Sequence, residues 1–220
     1  MNKPKTPAVS LLFFDLDGTL VDSRIDIANA VNFTLRKLGL KEKPIAEIFN
    51  FIGAGLENLI KQALGSRSGS VDFDQALEVY KQFYRKHFLD NTKLYPGVKE
   101  TLEHFKDKTI VMVSNKQKEF IELTLEALDI DHYFAKVIGG DNIGCLKPSS
   151  CPLNEALLQF SVDKNRAIIV GDMDLDILAG KKAGIATCGA TYGIGKKEDI
   201  LKAQPDYIIE RIEQLKEIIQ

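Results

Sequence analysis

A run of four apolar residues, Leu11-Leu12-Phe13-Phe14, stops abruptly on Asp15-Leu16-Asp17-Gly18-Thr19-Leu20-Val21-Asp22-Ser23. A short apolar run closed by a turn signal reads as a buried strand. Where such strands alternate with helical patterns they build a parallel sheet, and ligands bind beyond the carboxyl ends of its strands. Asp15 and Asp17 therefore sit where chemistry is expected. They lie two residues apart on a chain already leaving the sheet, so both can face one cavity. A bare Asp-x-Asp is often only a solvated turn. Behind an apolar strand, and followed by glycine and a hydroxyl, it suits a hard divalent cation or a nucleophile beside an acid.

Downstream the hydrophobic period changes. Ile27, Val31, Leu35 and Leu38 recur at helical spacing behind Ser23, a residue suited to cap a helix. Pro44 opens a short helical stretch over 45–52, and Leu56, Leu59, Ile60, Ala63 and Leu64 mark another helix. Phe73, Leu77, Tyr80, Phe83, Tyr84 and Phe88 give a further helix an aromatic stripe, read as core or as an interface between lobes. No strand is expected between Asp22 and Asn91. Residues 22–91 therefore read as a helical cap domain, and 1–21 plus 92–220 as an α/β catalytic core, with Tyr95-Pro96-Gly97 at the return. From there, strands at 109–113, 136–138, 167–170, about 185–188 and 207–209 alternate with helices at 98–105, 117–128, 153–160, up to 183 and 211–219. The expected fold is a doubly wound, Rossmann-like parallel sheet with a small all-helical cap inserted after the first strand.

The later strands also end in polar residues suited to phosphate: Ser114 and Asn115, then Lys147 in the loop beyond the third, then Asp172 and Asp176. Taken in order with Asp15-Leu16-Asp17-Gly18-Thr19, they match all four motifs of the haloacid dehalogenase-like hydrolase superfamily, which the chain resembles over nearly its whole length. Leu20-Val21-Asp22-Ser23, the Gly53-Ala54-Gly55-Leu56 loop and the size of the insertion resemble the branch containing phosphoglycolate phosphatases. The resemblance implies a Mg2+-dependent phosphomonoester hydrolase. Asp15 would attack phosphorus to give an aspartyl-phosphate, while Asp17 protonates the leaving alkoxide and then takes a proton from the hydrolytic water. Lys147 would offset the mutual repulsion of phosphate and nucleophile. Mg2+ would be held by Asp15, the backbone carbonyl of Asp17 and Asp172, with Asp176 as a further carboxylate. Gly18, Thr19, Ser114 and Asn115 are expected around the phosphate, and Gly53 and Gly55 where backbone approaches the rest of the substrate. Asp17 argues against the metal-free dehalogenases of the superfamily, which lack this second aspartate.

The substrate implied is a small phosphorylated metabolite, with 2-phosphoglycolate first. Sugar phosphates, nucleotides, pyrophosphate, or the phosphotransfer of a β-phosphoglucomutase-like enzyme are the alternatives. A signalling receiver domain also pairs an Asp with a Ser/Thr and a Lys, but is about half this length and has no helical insertion. Met173 stands where relatives often have a small hydroxyl residue, and Ser149-Ser150-Cys151 where they often have another proline. Ala190-Thr191-Tyr192-Gly193-Ile194-Gly195-Lys196-Lys197 approaches a phosphate-binding P-loop, but Lys197 replaces the hydroxyl that such loops need, and the segment reads as a loop near the site. His87, His104 and His132 fall outside the motifs.

A net charge of −2 with no basic block offers nothing to nucleic acid or to an anionic membrane. The apolar stretch from Val9 to Phe14 is too short for a signal peptide or a membrane span. Three cysteines without a Cys-x-x-Cys pair favour reduced thiols over a disulfide and a cytoplasmic setting. The expected assembly is a monomer or homodimer.

Overall fold

Side chains alternate across a strand, and in β1 (Leu11–Phe14) both faces are apolar: Leu12 and Phe14 enter one core cluster, Leu11 and Phe13 another. All four are fully buried, as a central strand covered on both sides requires. The computed structural model describes residues 8–141 and 144–219, and Met1 to Pro7 lie outside the described residues.

After β1 come β2 (Val21–Asp22), α1 (Arg24–Lys37), α2 (Ile45–Phe49), α3 (Leu56–Leu64), α4 (Phe73–His87) and β3 (Lys93–Leu94). They are followed by α5 (Val98–His104), β4 (Thr109–Val113), α6 (Lys118–Ala127), β5 (Lys136–Ile138) and α7 (Cys151–Gln159). The chain ends with β6 (Ala167–Gly171), α8 (Asp174–Ala183), β7 (Ala186–Ala190), α9 (Lys197–Lys202), β8 (Tyr207–Ile209) and α10 (Leu215–Ile218). The expected C-terminal helix is broken, with a 3-10 turn over Ile212–Gln214 ahead of α10. No described helix is long and apolar enough to cross a membrane.

Six strands form one parallel sheet in the order β5-β4-β1-β6-β7-β8. Leu11 pairs with Thr109 on one side and with Ala167 on the other, so β4 and β6 start level with β1 and their carboxyl ends emerge together. The chain winds outward through β4 and β5, then crosses back over β1 to build β6, β7 and β8. That reversal opens a crevice at the ends of β4, β1 and β6, the place where open α/β sheets bind ligands.

Helices α1 to α4 carry an apolar cluster of their own, including Val31, Ile48, Ile60 and Tyr84, joined from the sheet side by Phe120 of α6. The antiparallel pair β2–β3 links the points where the chain leaves the sheet region and returns; at two residues per strand it has no readable period. Asp26, buried in the first turn of α1, fastens the same junction. Its carboxylate accepts from Asn91 N (2.9 Å), Asn91 Nδ2 (2.7 Å), Thr92 N (2.8 Å) and Thr92 Oγ1 (2.7 Å). Removing an acceptor that satisfies several buried donors costs more than one ordinary hydrogen bond. Asp26→Ala is therefore expected to lower the unfolding free energy by about 2–4 kcal/mol in urea titrations; a change below about 0.5 kcal/mol would mean the junction does not depend on it.

Candidate active site

The Asp15 N–H still donates to Val170 O at 3.0 Å, so the residue is fixed at the very end of the central strand. The chain then curls: Thr19, Leu20 and Val21 all donate to Leu16 O, and Gly18 N donates to Val21 O. Gly18 has φ +92°, and a Cβ there would lie 2.1 Å from Asp172 Oδ2, so both backbone and space demand glycine. Asp172 follows β6, and Asp176 follows one turn later at the start of α8.

Lys147 arrives from the loop beyond β5. Asn115, at the end of β4, positions it by gripping its backbone: Lys147 N donates to Asn115 Oδ1 (2.8 Å) and Asn115 Nδ2 donates to Lys147 O (2.9 Å). The same amide group donates to Gly53 O (2.9 Å). The buried Lys147 ammonium then meets Asp176 Oδ1 at 2.6 Å, Asp15 Oδ1 at 2.8 Å and Val113 O at 2.9 Å. Burial works against its charge, but the Asp15 and Asp176 carboxylates more than offset that and hold it above the ordinary lysine range.

Three buried carboxylates face this one ammonium. Oxygens of Asp15, Asp172 and Asp176 lie within 4.8 Å of one another. Asp172 is pushed up to about 8, by burial first and then by Asp15 and Asp176, against the pull of the Gly195 and Ile194 N–H groups. Asp176 is raised too, by burial, although Lys147 pulls the other way. Asp15 Oδ1 has no hydrogen-bond donor aligned on it among the described residues, although its ion pair with Lys147 is close. A cluster of three buried carboxylates, with more negative charge than the one Lys147 ammonium offsets, supplies the hard oxygen donors that fit a divalent cation.

Other expected residues serve these groups. Thr19 Oγ1 donates to Asp172 Oδ1 at 3.0 Å, so this hydroxyl orients a carboxylate. Ser114 is buried at the end of β4 and lines the cavity beside Asp15. Gly53 and Gly55 line the same cavity from the side of α2 and α3. The space that a Cβ on Gly53 would need is filled by Met173, whose Sδ would be 2.1 Å away, so Met173 packs the sheet side against the Gly53 loop. In the segment resembling a P-loop, the N–H groups of Ile194 and Gly195 donate to Asp172 Oδ2 at 2.8 and 2.9 Å. That turn cradles a carboxylate of the protein itself.

Asp17 points toward the helices. Ser23, expected as the cap of α1, makes no cap hydrogen bond; its hydroxyl donates to Asp17 Oδ1 at 2.5 Å. Lys116 Nζ lies 2.9 and 3.1 Å from the two Asp17 oxygens, 2.8 Å from Tyr84 Oη, and 4.8 Å from the centre of the Tyr84 ring. Burial, with Asp17 and Asp26 nearby, pushes the Tyr84 hydroxyl well above the usual phenol range. From the sequence, Lys116 and the Ile194 and Gly195 amides have no role at the site, and Tyr84 belongs to the core or lobe interface, where it is indeed buried. Lys116 had a signal, since it follows Ser114-Asn115 at a strand end; the amides had only a Gly-Ile-Gly after a strand.

The bridge between Cys145 and Cys151 corrects the expectation of reduced thiols. The turn at Lys147-Pro148 folds the chain back until the two Cα atoms are 6.4 Å apart, inside the range a disulfide spans, which the sequence separation of 6 does not reveal. Cys188 is free and buried. Alkylation of the denatured, unreduced protein is expected to label Cys188 alone, and all three cysteines after reduction. Intact mass reads the difference, and full labelling without reductant would remove the bridge.

Comparison with known proteins gives a consistent picture. A family model described as haloacid dehalogenase-like hydrolase matches residues 12–190. A phosphoglycolate phosphatase of Aquifex aeolicus is 37% identical, covering 91% of this chain and 99% of that protein. One from Haemophilus influenzae is 35% identical, covering 95% and 97%. Among solved structures, a predicted phosphoglycolate phosphatase from Haemophilus somnus is similar with a TM-score of 0.92 at 30% identity, covering 97% of this chain and 99% of that one.

Proposed function

The chain belongs to the haloacid dehalogenase-like hydrolase family, and from that premise we propose that it hydrolyses a small phosphomonoester, 2-phosphoglycolate, with Asp15 as nucleophile and Mg2+ as cofactor. The observation that carries this reading is the meeting of the Asp15, Asp172 and Asp176 carboxylates with the Lys147 ammonium, where the strand ends and the loop beyond β5 converge. The name of the relatives from Aquifex aeolicus and Haemophilus influenzae supports the substrate.

Asp15, the Asp17 backbone carbonyl and Asp172 would hold the cation, with Asp176 beside them. When bound, Mg2+ neutralises phosphate charge and that of the surrounding carboxylates. Asp15 attacks phosphorus, forming an O–P bond as the ester P–O bond breaks, and Asp17 delivers a proton to the departing alkoxide. Water then attacks the phosphorus of the aspartyl-phosphate, giving its proton to Asp17 and releasing phosphate and the free Asp15 carboxylate. Lys147, anchored by Asp176 and Val113 O, keeps a cation beside Asp15 throughout. Ser114 and the N–H groups that follow Asp15 and Ser114 receive phosphate oxygens. Thr19 acts by fixing Asp172, and Asn115 by fixing Lys147.

Residues 22–91 serve as a cap that shields the aspartyl-phosphate site and tests the leaving group. The cavity supports a small one. It measures about 60 Å³, and since about 10–15 Å³ of such space holds one water-sized group, it takes roughly four to six. The test is phosphate release from a panel of small phosphomonoesters with Mg2+, and again after EDTA. Preference for 2-phosphoglycolate, lost on chelation, is the expected result. A broad and weak metal-dependent profile would remove this substrate, and turnover that survives EDTA would remove the cation.

A further inference from the structure

Most of the cavity wall is apolar, with Ile27, Ile52, Leu56 and Phe120 among its lining. Asp15, Asp17 and Ser114 line the end nearest the sheet. Lys116 is the only cationic side chain on this wall among the described residues. It is a costly residue to keep there: its side chain is 9% exposed, and a buried ammonium needs partners. Its partners are Asp17 and Tyr84, the second lying on α4 of the helical insertion. Because Lys116 donates to Tyr84 Oη, the phenol keeps its own proton to donate, and none of the described residues accepts it. The wall beside Asp17 therefore offers an ammonium and a phenol proton side by side, the first from the segment after β4 and the second from α4.

We propose that Lys116, together with Tyr84, is the specificity-determining pair that binds an anionic group, a carboxylate, on the leaving alcohol. The inference rests on the phosphatase reading above and deepens it. Phosphate charge goes to Lys147 and the metal-binding end, and the second negative charge of a phosphorylated hydroxy acid goes to Lys116. The same contact orders Asp17, so the leaving group that fits is the one that meets the acid in register. A neutral alcohol of equal size leaves Lys116 without its substrate partner, which is how a buried polar group discriminates. Tyr84 adds closure, since its hydroxyl reaches the carboxylate only when the helices sit over the sheet.

The experiment compares 2-phosphoglycolate with 2-hydroxyethyl phosphate, its counterpart with a neutral leaving alcohol, in wild type, Lys116→Met and Tyr84→Phe. Both esters share whatever Lys116 does for Asp17, so the ratio of their kcat/KM values isolates the carboxylate. In Lys116→Met that ratio is expected to fall about 10- to 100-fold, the discrimination of one charged hydrogen bond. Tyr84→Phe, which keeps the ring, should lower it about 3- to 10-fold, mainly through KM. Lys116→Arg keeps the charge and should retain a preference for the acid, which guards against a variant that merely misfolds. A ratio unchanged within threefold in Lys116→Met, whatever the absolute rates, would overturn the proposal and leave Lys116 as a partner of Asp17 only. If wild type prefers a different phosphorylated carboxylate, the substrate named above fails while the role of Lys116 stands. If wild type prefers neutral esters, the role of Lys116 fails even though hydrolysis continues.

Discussion

Asp15→Asn is expected to remove turnover while leaving the fold standing. An amide of nearly the same shape keeps the strand end packed, but it has no anionic oxygen to attack phosphorus. Loss of a covalent nucleophile costs on the order of 10⁴–10⁶ in kcat. Stability should change by less than about 1 kcal/mol, because two effects oppose each other. The ion pair with Lys147 is lost, yet Lys147 keeps Asp176 and Val113 O, and one of three mutually repelling carboxylates becomes neutral. Phosphate release and a urea titration on the same preparation decide the matter. Residual activity above about one hundredth of wild type would move the nucleophile elsewhere.

Lys147→Met, unlike Asp15→Asn, should cost the protein stability. The methionine fills much of the same volume, but Asp15, Asp172 and Asp176 then face one another with no cation among the described residues. Breaking a buried pair by removing one partner typically costs about 3–5 kcal/mol, because the remaining charge is stranded. That loss should appear in EDTA, together with a fall in kcat of at least about 10²–10³ from the missing charge stabilisation. Adding Asp15→Asn to Lys147→Met should return part of the stability, since it removes a stranded charge, so the two changes are expected to be non-additive. Strict additivity would mean that the ammonium and the Asp15 carboxylate do not feel each other, against their 2.8 Å separation.

The contrast between these two variants reflects how unevenly the site can be read from the chain. Asp15, Ser114 and Asp172 are legible because each closes an apolar run, and a strand end in a parallel sheet has one place to go. Asp176 is legible because it lies one helical turn beyond such an end. Lys147 could be picked out only by its resemblance to a family pattern, since nothing local says that a lysine in a loop is buried. Its position depends on Asn115, 32 residues away in sequence, whose side chain holds both its N–H and its C=O. The family resemblance puts Thr19 near the phosphate, whereas its hydroxyl is taken by Asp172. A motif gives proximity; it does not give the partner.

Hydrophobic period and turn chemistry act over a few residues, so the parallel α/β sheet, the helices over 24–87 and the carboxylates at the strand ends are legible in the chain alone. Three things were decided only by tertiary contact. One is the disulfide across the Lys147 loop, made when a turn returns Cys151 to Cys145. Another is the use of the Ile194 and Gly195 amides as a cradle for Asp172, which needs β7 beside β6. The last is the junction of Lys116, Asp17 and Tyr84, whose members are up to 99 residues apart along the chain. The last two join polar groups from different elements, and such pairings follow from which backbone atoms and charges the folded core leaves unsatisfied. No local pattern carries that information, because the cost of leaving a buried donor or charge without a partner arises only once the surrounding structure has excluded water.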